Sequence, residues 1–82
     1  MKYFIEFKPR AVKDLQSLSK QMQGKILKKI QSMENDLAGD VKKLTNFTPE
    51  YRLRVGNYRV LFEIEDSNIV VYRVRSRDKA YQ

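Results

Sequence analysis

The chain of 82 residues contains no cysteine and no histidine. Without cysteine there is no disulfide framework and no Cys-based zinc site. Without histidine the chain lacks the usual general base and the commonest metal ligand. The carboxylates show no metal-ligand spacing, so no metal and no other cofactor is expected. No internal repeat or low-complexity segment occurs. No apolar run approaches the ~20 residues of a membrane span. The opening MKYFIEFKPR has no signal-peptide layout, so a cytoplasmic protein without a membrane partner is expected. The length suits one domain, residues 1–82, with one modest core.

What the chain does have is positive charge. Lys and Arg total 17 against 10 acids, a net charge of +7. Such a balance favours nucleic acid, an anionic membrane or an acidic protein. The two cations are segregated. Nine of the ten lysines lie between residues 2 and 43, and six of the seven arginines lie between 52 and 77. Lysine on helix surfaces is an ordinary solubilising choice. Arginine is planar and permanently charged, contacts phosphate bidentately and stacks on bases. The C-terminal half is therefore where a polyanion site is expected.

Apolar spacing predicts the element order β-α-α-β-β-β. KYFIEF alternates as a first strand. Pro9 stops it and suits the first turn of a helix carrying Ala11, Val12, Leu15 and Leu18. Ser19 can cap a second helix, in which Met22, Ile26, Ile30, Met33 and Leu37 form one stripe ending near Gly39. VKKLTNFTPE, residues 41–50, has no clean period and reads as a connection pinned by Leu44 and Phe47. Strands follow at 51–55, 58–65 and 68–76, with turns at Gly56-Asn57 and Asp66-Ser67-Asn68. The expected class is α+β, a helical hairpin packed on one face of a mostly antiparallel four-stranded sheet.

If Gly56 and Asn57 are the turn, Arg54 pairs directly with Arg59 and Arg52 pairs with Leu61. Paired residues share a face, so Arg52, Arg54 and Arg59 emerge together. Tyr51, Leu53, Val55, Tyr58, Val60 and Phe62 emerge on the other side, ready to pack under helices. Like charges directly opposite each other cost stability. A solvated face with acids reaching in sideways is the plainer account of such a row. The segment RVRSRDKAY tips the balance by adding Arg73, Arg75, Arg77 and Lys79 before Tyr81. Arginines interspersed with tyrosines suit RNA, the cations for phosphate and the rings for splayed bases.

With these motifs the chain resembles the RelE/ParE toxin superfamily, and within it the RelE branch. The resemblance rests on YRLRVGNYRVLFEI, on NIVVYRVRSRDKAY and on YFIEFKPRAVKDLQSL, and spans nearly the whole chain. It implies the toxin of a type II toxin–antitoxin system, a ribosome-dependent endoribonuclease cutting mRNA in the A site. It implies as partners a cognate antitoxin, mRNA and the ribosome, with operator DNA met only through the antitoxin. It places the catalytic cluster at Arg52, Arg54, Arg59, Arg77 and Tyr81, and leaves Arg73, Arg75 and Lys79 as further RNA-binding residues.

The chemistry is feasible without histidine, because RNA carries its own nucleophile in the 2′-hydroxyl. Positioning and electrostatic stabilisation of the phosphorane do most of the work. Where the family often has lysines, this chain has Arg52 and Arg54, and arginine does not serve as a base. Tyr81 is the candidate for proton transfer. The alternatives are a ParE-like toxin that poisons gyrase, or an inactive basic homologue that binds its antitoxin and acts as a co-repressor.

Overall fold

The computed structural model describes residues 2–80. It is an α+β fold of the expected class. Strand β1 (Phe4–Phe7) leads into helix α1 (Pro9–Gln16), with Pro9 at its start as the sequence predicts. Helix α2 (Lys20–Ser32) follows, and the Ser19 hydroxyl accepts the Met22 N–H at 3.2 Å. Strands β2 (Val41–Lys43), β3 (Tyr51–Val55), β4 (Tyr58–Glu65) and β5 (Asn68–Ser76) complete one sheet. Its spatial order is β1-β5-β4-β3-β2. β1 runs parallel to β5 and every other neighbouring pair is antiparallel. Among the described residues no helix is long and apolar enough to cross a membrane.

Two elements differ from expectation. The sheet has five strands rather than four, because Val41–Lys43 leaves the predicted connection to pair with β3. Three residues are too few to show a period of two, so the strand exists only through its neighbour. α2 also stops at Ser32, although its apolar stripe runs on to Leu37. The chain after it is taken by the sheet side instead: the Tyr3 N–H donates to the Glu34 carbonyl and Lys2 bridges to Asn35. Gly39 thus does not cap the helix. It sits at φ 118°, and a Cβ there would lie 3.0 Å from Leu53 Cδ1, so close packing and backbone both call for glycine.

The helices cover one face. Ala11 and Leu15 of α1, and Ile26, Ile30 and Met33 from α2 and its C-cap, meet Leu53, Val55, Val60, Phe62, Ile69, Val71 and Val74. Tyr51 stacks on Phe62 with centroids 5.5 Å apart. Leu61 and Val70 are also buried, at 2% and 3% exposure, yet stand outside this cluster on the opposite face. The 44–50 segment supplies half-buried Leu44, Phe47 and Pro49. Pro49 shares a cleft with Tyr72 and Arg73, which carries the segment toward β5.

Candidate nucleic-acid interface

The β3–β4 hairpin has the register its turn predicts: Val55 opposite Tyr58, Arg54 opposite Arg59, Arg52 opposite Leu61. Gly56 takes φ 57° at the first turn position, the glycine-first order of a type II′ turn. β5 then extends both rows. Arg75 pairs with Arg59, and Arg73 pairs with Leu61. One cross-strand row therefore reads Arg54–Arg59–Arg75. The next reads Lys42–Arg52–Leu61–Arg73. Lys42 joins only because β2 is a strand, which is why the sequence does not single it out.

A bulge makes this possible. Phe62 pairs with Val71 and Leu61 with Arg73, so Tyr72 faces no partner residue. In plain alternation Ile69, Val71, Arg73 and Arg75 would share the buried face. The extra residue inverts the pattern. Val74 turns into the core, and Arg73 and Arg75 turn to the face that carries Arg52, Arg54 and Arg59. The sequence signal was present but indirect. Strict alternation along NIVVYRVRS would have put two arginines inside.

The arginines are not equivalent. Arg52 donates through Nη1 to the Asp40 backbone carbonyl at 2.9 Å and to Asp40 Oδ1 at 3.2 Å. Arg73 donates through Nε to Asp14 Oδ2 at 2.8 Å and through Nη2 to Oδ1 at 3.1 Å. For these two arginines the acids reach in sideways, as the plainer account of such a row has it. Burial pushes the Asp14 carboxyl up. Hydrogen bonds from Arg73 and the Val74 N–H, with the charges of Arg73 and Arg75, more than offset this and hold it below the ordinary carboxylate value. The same partnership raises the Arg73 pKa. Among the described residues Arg54, Arg59 and Arg75 have no ion pair with a carboxylate.

The hairpin turn anchors two of the candidates. Arg59 is 8% exposed, and its Nη1 donates to the Gly56 and Tyr58 carbonyls at 3.1 Å each. The Arg77 backbone N–H donates to the Asn57 carbonyl at 2.7 Å. Arg77 and Lys79 are exposed beyond the end of β5, outside the two rows. Arg77 lines a cleft of about 560 Å³ with Met22, Asn57, Tyr58, Ser76 and Asp78. Tyr81 lies outside the described residues. Among the described residues no cluster of acidic side chains has the makings of a metal site. The surface can neutralise several phosphates at once, with guanidinium donors held in fixed relation by the sheet.

Comparison with known proteins bears on the family and the fold. A family model described as the ParE toxin of type II toxin–antitoxin systems, parDE, matches residues 5–81. Toxin RelE3 of Methanocaldococcus jannaschii is 43% identical over 47 residues. That match covers 57% of this chain and spans about half of the relative, 53% of its length. The RelB–RelE antitoxin–toxin complex of Methanococcus jannaschii contains a chain that superposes with a TM-score of 0.75 at 31% identity, covering 93% of this chain and 94% of that one. The archaeal RelE–RelB complex of Pyrococcus horikoshii OT3 gives 0.77 at 30% identity, covering 98% and 100%.

Proposed function

The chain belongs to the RelE branch of the RelE/ParE toxin superfamily of type II toxin–antitoxin systems, and from that premise we propose that it blocks translation by cutting mRNA in the ribosomal A site. The observation that supports this reading is the Arg54–Arg59–Arg75 row, three like charges directly opposed across adjacent strands. Each opposition costs stability in the free protein. A phosphate backbone laid across the row removes that cost and adds charge-assisted hydrogen bonds.

In the proposed reaction the 2′-oxygen forms a bond to the adjacent phosphorus and the bond from phosphorus to the 5′-oxygen breaks. The products are a 2′,3′-cyclic phosphate and a 5′-hydroxyl. The proton leaving the 2′-hydroxyl is taken by a base, and the 5′-oxygen is protonated as it departs. Arg59 and Arg77 contact the scissile phosphate and stabilise the phosphorane. Arg59 suits this because two carbonyls fix its Nη1 at the hairpin turn. Arg52 and Arg54 hold the RNA backbone, Arg75 and Lys79 extend the track, and Tyr81 serves proton transfer or stacks on a base. The protein acts in the cytoplasm. Its antitoxin supplies an acidic segment complementary to this +7 surface.

Primer-extension mapping after brief induction tests the reading. Wild-type protein produces cuts inside translated codons, and Arg77→Ala removes them. Growth arrest with intact mRNA and trapped gyrase overturns it in favour of a gyrase poison. Antitoxin binding with neither arrest nor cuts overturns it in favour of a co-repressor.

A further inference from the structure

We infer that Asp14 is a positioning residue for the arginine face: its carboxylate stands in for a missing strand beside the second half of β5 and decides which arginines of that strand meet RNA. The inference rests on the mRNA-cleaving reading above.

β1 pairs with β5 only from Asn68 to Val71. Among the described residues one edge of β5 has no strand beside it from Tyr72 onward, and the bulge falls at the same point. An edge with a register irregularity and free N–H groups is prone to slip. A slip of one residue here would return Arg75 to the core side. Asp14, reaching across from α1, prevents it. Its Oδ2 accepts the Val74 N–H at 2.9 Å, the bond a neighbouring strand would otherwise make. The same carboxylate takes both Nε and Nη2 of Arg73. Three donors from two successive residues thus converge on one half-buried side chain.

The result is a division of labour along β5. Arg73 has its charge neutralised and is drawn toward the helix side of the edge. Arg75, the next residue facing outward, keeps its place beside Arg59 with no ion pair to a carboxylate among the described residues. Asp14 therefore withholds one arginine and presents the next. It also explains why a basic surface keeps an acid at its border.

Single-turnover cleavage of an A-site codon on programmed ribosomes separates the two effects, read as the rate at saturation and the ribosome concentration giving half of it. In Asp14→Ala the saturated rate falls ~10- to 100-fold, the scale of a small misplacement of a catalytic group. Binding tightens instead of weakening: the half-saturating concentration falls about two- to fivefold as the freed Arg73 gains a phosphate contact. Asp14→Ala combined with Arg73→Ala returns half-saturation to the wild-type value while the rate stays low. Asp14→Asn keeps an acceptor for Val74 and recovers most of the rate. A carboxylate that merely stabilised the fold would lower the active fraction, leave half-saturation unmoved and show no reversal in the double variant. An unchanged rate in folded Asp14→Ala, or a half-saturation that does not fall, overturns the inference. Amide hydrogen exchange at Val74 in the free protein reads the clamp apart from any activity: it accelerates in Asp14→Ala, and unchanged exchange sinks the clamp even if cleavage is affected. If the wild type cuts no mRNA, the RNA-cleaving reading fails and the presentation of Arg75 to RNA fails with it, while Val74 exchange still decides the clamp.

Discussion

The two faces of the sheet are built from the same strands under the same alternation, and they are stabilised in opposite senses. Under the helices, Leu53, Val60, Phe62, Ile69 and Val71 are each fully buried, and the face holds the fold together by removing apolar surface from water. On the other face, Arg54, Arg59 and Arg75 oppose one another, and the fold is held together despite them. The contrast teaches where to look for function. A core residue is explained by its packing. A row of repelling charges is explained by something it will meet.

The comparison breaks most severely if a charge is placed on the face that has none. Val60→Asp, at a fully buried position opposite Val74, puts an unpaired carboxylate under the helices. Burying unpaired charge belongs to the rare mutations that cost more than ~4 kcal/mol, so the variant is expected to be largely unfolded by circular dichroism. Next in size is Phe62→Ala, which opens a cavity under the helices against Tyr51. It should cost ~3–5 kcal/mol in urea denaturation. Smaller again is the effect of acid. The folded-state pKa of Asp14 lies below its ordinary value of 3.8, so its stabilisation is complete above that value and is lost as pH falls through the folded pKa. Acid titration of wild type and Asp14→Asn should therefore show curves that differ above pH 4 and converge below it. The smallest change sharpens the contrast. Arg54→Gln relieves the opposition to Arg59 and should raise stability by about 0.2–1 kcal/mol while weakening cleavage. Loss of stability in that variant would mean the row is structural.

The hairpin register was legible because a two-residue turn fixes every pair after it, and the helix-side core followed from the alternation. The start of α2 was legible because Ser19 announces itself locally. What escaped depends on distant partners. β2 is a strand because β3 lies beside it, and α2 ends early because Glu34 and Asn35 are claimed by Tyr3 and Lys2. Asp14 is 59 residues from Arg73 in the chain. Its signal was a carboxylate between Ala11 and Leu15 on the border of an apolar stripe, where an acid needs a partner. The arginine candidates were legible as residues. Their inequality among the described residues, with Arg52 and Arg73 paired to acids and Arg54, Arg59 and Arg75 not, was not.

The parallel pairing of β1 with β5 has a consequence in time. Phe4 lies beside Asn68 and Phe7 beside Val71, so the first strand waits for the last before it has a neighbour in the sheet. Contacts this remote in sequence form late and close large loops. A nascent chain whose β5 has not yet emerged has neither a finished sheet nor the third arginine of the row. The basic surface is thus assembled only after β5 has left the ribosome that makes it.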